Sequence, residues 1–234
     1  MKVRFLATGS AGNCALFFEN EKALVIDCGV KFQELALYVK PSQIEAVLLT
    51  HSHGDHAAYA KAYAKFGLPI YCTQGTADAV GLIGPTIHII EPTKTYTLPT
   101  FQFLAFEVMH NAPGGTVGFR FGTEMSGEAI FATDLTGVGY KIPDVHYIFI
   151  EGNYCENIVM QNGTDYEIHH LSIQQAAKLI NEQPRQNLMS LFIIHTSDRN
   201  APKEESEILE HFRVFCPKYV AKKGLVVGLH LLPF

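Results

Sequence analysis

The stretch that most limits this chain is AVLLTHSHGDHAAYAKAYAKF, residues 46–66, where three histidines and an aspartate fall within six positions after an apolar run. His51 and His53 are two apart, about 200° around a helix, so they cannot share a helical face. The backbone that carries them is therefore extended or looped. AVLLT reads as a strand and HSHGD as its exit loop. Asp55 to Phe66 reads as a helix, free of Gly and Pro and ended by Gly67 and Pro69. This arrangement puts His51, His53, Asp55 and His56 at the carboxyl end of a strand, where α/β folds build their sites.

Neutral imidazoles beside a carboxylate, with no cysteine among them, suit a borderline divalent metal: zinc first, then manganese or iron. Four ligands in one loop can serve two ions. A polar turn whose histidines satisfy one another is the plainer reading, and the density of ligands argues against it. A second ion needs more ligands, each delivered by a strand end. Three follow apolar runs: His110 after FQFLAFEVM, Asp134 at the end of AIFATD, and His195 after LMSLFII. A lone histidine at a strand end is as often structural; the shared context raises all three.

Around this cluster, strand-like and helix-like runs alternate. VRFLAT, CALFF and ALVID read as strands and Lys31 to Val39 as a short helix. TVGFRFG and YIFIE add strands to the second half, and Ser172 is a good N-cap for IQQAAKLINEQ. A helix over PKEESEILEHF and an apolar run, GLVVGLHLL (224–232), close the chain. Two β-rich halves, each ending in helices, predict an α/β fold of αββα type: two sheets face to face with helices outside, one domain over 1–234. Hydrophobic residues make up 47% and charged residues 18% of the chain, which excludes disorder. No run approaches the roughly 18 apolar residues of a membrane span. The start, MKVRFLATGSAGNC, lacks a signal-peptide h-region, and five scattered cysteines form no C-x-x-C pair, so a cytoplasmic protein with reduced thiols is expected.

H-x-H-x-D-H followed by His, Asp and His at successive strand ends resembles the metallo-β-lactamase superfamily over nearly the whole chain. The resemblance implies that His51, His53 and His110 hold one metal, that Asp55, His56 and His195 hold a second, and that Asp134 bridges them. TGSAGNC, LVIDCG, ATDL, HHLS and HTSDRN look like the YycJ/WalJ-like branch, whose members show GSxGN early and GHLS and HLSxxN late. His169 stands here where that branch usually has Gly, and Thr196 where it has Leu. The layout is also similar to phage anti-Pycsar cyclic-nucleotide phosphodiesterases.

The chemistry this implies is metal-assisted hydrolysis of a phosphodiester. Asp134 would hold the ions together, Asp55 would also orient the attacking water, and His170 would serve the leaving oxygen. TGSAGN would either offer N–H groups to a phosphate or simply turn the chain. A β-lactamase is disfavoured by an Asp at the bridging position. A glyoxalase-type thioesterase is disfavoured by the 39 residues that follow His195, and a β-CASP nuclease by the 61-position step from Asp134 to His195. Between Phe66 and Ala177 the only cations are Lys94, Arg120 and Lys141, and the net charge is −5, which argues against a strand-tracking nuclease. The expected substrate is a small nucleotide phosphodiester, with a 3′,5′-cyclic mononucleotide first, as in phage counter-defence. A 5′-to-3′ exonuclease on short single-stranded DNA or RNA comes second, and a non-catalytic metal-binding module third. Related phosphodiesterases imply a homodimer; no membrane partner is expected.

Overall fold

The computed structural model describes residues 1–138, 141–162 and 169–231; Leu232, at the end of the last apolar run, lies outside them. The first half forms β1 (Lys2–Ala7), β2 (Cys14–Glu19), β3 (Lys22–Ile26), β4 (Ile44–Leu48), β5 (Ile70–Cys72) and β6 (Ile87–Ile89). The second half forms β7 (Thr95–Thr97), β8 (Gln102–Met109), β9 (Thr116–Thr123), β10 (Gly127–Ala132), β11 (Gly137–Val138), β12 (Tyr147–Glu151), β13 (Ser190–Ile194) and β14 (Lys218–Val220). A last strand, β15 (Val226–Gly228), returns to pair antiparallel with β1. The sheets run β15-β1-β2-β3-β4-β5-β6 and β11-β8-β9-β10-β12-β13-β14, with β7 also paired to β8.

Each half starts antiparallel and turns parallel, from β3 to β6 in one and from β10 to β14 in the other. Parallel neighbours need crossovers, which helices supply: α1 (Phe32–Leu35), α2 (Gly54–Ala57), α3 (Ala60–Lys65) and α4 (Gln74–Val80) on the first sheet, α5 (Glu156–Asn162), α6 (Ile173–Asn181) and α7 (Glu205–Leu209) on the second. Parallel strands also end at a common edge, which gathers their exit loops there.

Strands covered on both faces lose the apolar/polar alternation, and that is how these sequences read. In β2, Ala15 and Phe17 enter the core between the sheets, while Cys14 and Leu16 face the helices. In β13, Phe192 and Ile194 point inward and Leu191 and Ile193 outward. Phe17 meets Phe121 and Phe149 edge-on at 4.7 and 5.2 Å, pairs worth about 0.5–1.5 kcal/mol each beyond their burial. The result is the αββα order expected, with one core between the sheets and one beneath each helical layer.

The helix expected over Asp55 to Phe66 is instead two. The carbonyls of Asp55 and His56 accept from Asn13 N and Cys28 N, both at 2.7 Å, and Tyr59 N donates to Cys28 O at 3.1 Å. Those bonds take the groups that would have continued the helix, so it breaks at Ala58–Tyr59. Helix α6 starts as expected: Ser172 accepts from Gln175 N, and the Gln175 side chain returns to Ser172 N.

Candidate metal centre

Every predicted ligand lies at the same edge of the sandwich. His51, His53, Asp55 and His56 leave β4, His110 directly follows β8, Asp134 lies two residues beyond β10, and His195 directly follows β13. The sheets are joined at this edge by Val117 N donating to Thr50 O at 3.0 Å. Asp134 is the hub. Its Oδ2 is 3.3 Å from His51 Nε2, 3.1 Å from His56 Nε2 and 3.8 Å from His110 Nε2, and its Oδ1 is 3.2 Å from His195 Nε2. His53 Nδ1 lies 3.2 Å from His110 Nε2, and Asp55 Oδ2 lies 3.3 and 3.5 Å from His56 and His195 Nε2. Two groups of predicted ligands result, His51/His53/His110 and Asp55/His56/His195, sharing Asp134, and a third cluster joins Asp134 and His195 to Glu151 and His170; the ligand atoms of each lie within 4.8 Å of one another.

Several residues that the sequence reading left out hold these side chains in place. Asp27, after β3, is buried and accepts from Thr50 N (2.9 Å), from Thr50 Oγ1 (2.9 and 3.0 Å) and from His56 Nδ1 (2.7 Å). Thr50 Oγ1 is also 3.0 Å from His51 Nδ1. Glu151, at the end of β12, is fully buried; its Oε1 is 2.7 Å from His170 Nδ1 and 3.3 Å from His195 Nδ1, and its Oε2 accepts from Leu135 N. Asn153 Nδ2 donates to the His195 carbonyl at 2.8 Å. The His169 carbonyl lies 3.1 Å from His110 Nδ1. A ligating imidazole needs its second nitrogen bonded in this way, so that the tautomer and ring plane are fixed. Asp27 and Glu151 carried a usable signal, since each ends an apolar strand run just as Asp134 does.

TGSAGN serves the site as structure. Gly9 N donates to Asn13 Oδ1, Gly12 N to Gly9 O and Asn13 N to Asp55 O, which commits these three N–H groups within the protein. Gly29 closes the loop from behind: a Cβ there would come within 2.0 Å of Asp55 O and 2.3 Å of Asn13 N. Asp27, Asp134 and His195 have φ of 65°, 49° and 53°, the left-handed region that L residues enter at a cost. Such strain concentrates where a site demands it.

Burial alone would neutralise these groups. It pushes the His51 imidazole down, and His110 down to about 4. For His56 and His195 burial is outweighed by carboxylates, Asp134 foremost, so His56 rises well above its ordinary value and His195 to about 10. Burial likewise opposes charge on Asp55 and Asp134, yet His56 and His195 hold both below the usual carboxylate range. The Nε2 atoms of His51 and His195 are buried and make no hydrogen bond, although each faces an Asp134 oxygen. Buried ring nitrogens without hydrogen-bond partners, set among ionised carboxylates, form a donor set that fits divalent cations once a cation takes the place of the proton.

Over the cluster opens a cleft of about 510 Å3, lined by Ser10, Asn111, His169 and His170 as well as by ligand side chains, with no Lys or Arg among its described lining residues. His170 is 19% exposed there. Larger hollows, of about 690 and 1000 Å3, open around Glu19 and Met125 and contain none of these ligands. No helix among the described residues is long and apolar enough to cross a membrane.

A family model described as a Beta-lactamase superfamily domain matches residues 22–193. The exodeoxyribonuclease WalJ of Streptococcus pneumoniae is 25% identical over 231 residues, covering 87% of this chain and 84% of its own. The anti-Pycsar protein Apyc1 of Saccharibacillus brassicae is 36% identical over 72 residues, 27% of this chain and 29% of its own. Among solved structures, the metallo-beta-lactamase fold protein YhfI from Bacillus subtilis superposes with a TM-score of 0.79 at 20% identity, covering 97% of this chain and 98% of that one, and shows the shared fold.

Proposed function

Because the chain belongs to the beta-lactamase superfamily, we propose that it is a metal-dependent phosphodiesterase with two cations, zinc or manganese, acting on one nucleotide phosphodiester at a time. The observation that supports this most is the pair of His/Asp groups sharing Asp134 at the floor of the cleft. His51, His53 and His110 would hold one ion, Asp55, His56 and His195 the other, and Asp134 both. Bound there, the ions would supply Lewis-acid polarisation of a phosphoryl oxygen and a lower pKa for water.

The remaining work falls to side chains. Asp55, 22% exposed, presents a carboxylate to the cleft and orients the attacking water. His170 supplies the proton that the leaving oxygen needs. Its Nδ1–H is committed to Glu151 at 2.7 Å, so the donating nitrogen is Nε2. Glu151 fixes the ring's tautomer and orientation, as a buried carboxylate does for a general-acid histidine.

The likeness to an exodeoxyribonuclease over 87% of the chain favours the terminal nucleotide of a short single strand as substrate. With no Lys or Arg among the described lining residues, following phosphates find no grip there, which predicts release after each cut and a shallow salt dependence. The same lining favours the second reading, a 3′,5′-cyclic mononucleotide, which carries a single phosphate; the shorter likeness to Apyc1 agrees with it. The test is turnover by the zinc- or manganese-loaded chain of 5′-phosphorylated oligonucleotides, 3′,5′-cyclic nucleotides and bis(p-nitrophenyl) phosphate, with Asp134→Ala as control. Cleavage of cyclic nucleotides alone selects the second reading. Two bound ions with no turnover of any substrate would refute the phosphodiesterase and leave a metal-binding module.

A further inference from the structure

The residues of the second group come from two distant parts of the chain, yet one loop touches all three, Asp55 and His56 at their side chains and His195 at its backbone N–H. It joins β1 to β2 over residues 8–13. Thr8 Oγ1 accepts from His195 N at 2.9 Å. Asn13 Nδ2 lies 3.2 Å from Asp55 Oδ2 and 2.9 Å from His56 Nε2, while Asn13 N donates to Asp55 O at 2.7 Å. The first group is held elsewhere, His51 by Thr50 and His110 by the His169 carbonyl.

Asn13 is itself fixed. It is 6% exposed, its Oδ1 accepts from Gly9 N at 2.9 Å, and its Nδ2 is 3.1 Å from Gly9 O. The amide plane therefore cannot turn without breaking the loop. Nδ2 has two hydrogens and two acceptors, Gly9 O and Asp55 Oδ2, and it packs against His56 Nε2, so it serves the backbone and the ligands together. A partly exposed carboxylate such as Asp55 otherwise loses rotamer freedom on binding an ion. A donor already aimed at Oδ2 removes part of that cost, as outer partners of metal ligands do.

We propose that Asn13 is a positioning residue for the second group, setting how tightly Asp55, His56 and His195 hold their ion while leaving the first group unaffected. This rests on the two-ion reading of the site. The test uses the full chain and measures zinc affinity and stoichiometry by competition with a chromophoric chelator, for wild type, Asn13→Ala and Thr8→Val. Thr8→Val preserves side-chain shape and removes only the acceptor for His195 N, so it keeps the test open if the alanine variant folds poorly. Each variant is expected to keep one zinc at wild-type affinity and to bind the second about 10–100-fold more weakly. Two wild-type affinities in both variants would overturn the proposal, as would equal weakening of both sites, the mark of a loop that only supports the fold. A wild type that binds two zinc ions but hydrolyses nothing sinks the phosphodiesterase and not this inference; a wild type that binds none sinks both.

Discussion

Replacing Thr50 with valine keeps the side chain's shape and deletes one hydroxyl, and the structure fixes the size of the loss. Thr50 is fully buried, with Oγ1 2.9 and 3.0 Å from the two Asp27 oxygens and 3.0 Å from His51 Nδ1. A hydroxyl has one proton. Given to Asp27, it leaves a lone pair for His51 Nδ1–H, which makes Nε2 the lone-pair nitrogen facing Asp134. In the variant, the His51 Nδ1–H is buried without a partner, at about 1–3 kcal/mol, and Asp27 loses a charged hydrogen bond worth about 1.5–3 kcal/mol. The sum is about 2.5–6 kcal/mol, or roughly 5–12 °C in Tm for a chain of this length. The first group should also bind its ion about 10–100-fold more weakly. Urea unfolding of chelator-treated protein measures the first quantity, and chelator competition the second. A loss below about 0.5 kcal/mol with unchanged metal affinity would refute the argument that Thr50 fixes the His51 ring.

His170→Ala should lower turnover about 10²–10⁴-fold with metal content unchanged; parallel loss of metal would make His170 a ligand. Gly29→Ala forces a Cβ against Asp55 O and Asn13 N, both backbone atoms, and should cost about 1–3 kcal/mol or more in chemical denaturation; a neutral result would mean the loop is free to shift. At pH 8 a thiol reagent should modify Cys216 first in the folded chain and all five cysteines only in urea. Burial pushes the Cys14 and Cys28 thiols well up and Cys72 to about 11; it raises Cys216 as well, but Cys216 is only half-buried whereas the other four are buried. Rapid native labelling of Cys14 or Cys28, read by mass spectrometry, would show that core to be open.

The candidate ligands and their gathering at one edge were legible because two patterns coincided: a cluster too tight for a helix face, and isolated His or Asp residues after apolar runs. Parallel strands turn the second pattern into proximity, since their carboxyl ends share an edge. Asp27 and Glu151 ended similar runs, at LVID and YIFIE, but a carboxylate that bonds only to protein has the same local sequence as one that binds metal. Thr50 had no signal, and Asn13 showed only as the Asn of the GSxGN resemblance, because the importance of both comes from what the fold brings beside them. The break after α2 was hidden for the same reason: Asp55 and His56 lend their carbonyls to distant N–H groups. Strands β5, β6, β7, β11, β14 and β15 are two or three residues long, too short for periodicity to register.

The left-handed backbone at Asp134 and His195 costs about 1–2 kcal/mol at each position, which glycine would relieve. Glycine at 134 would also strip the buried His56 and His195 of the carboxylate that foremost stabilises their charged forms, and removing one partner of a buried pair costs about 3–5 kcal/mol. A variant library of this chain ranked by thermal stability in the presence of chelator should therefore hold Asp134 against glycine, so that a screen that never sees an ion still retains the proposed bridging side chain.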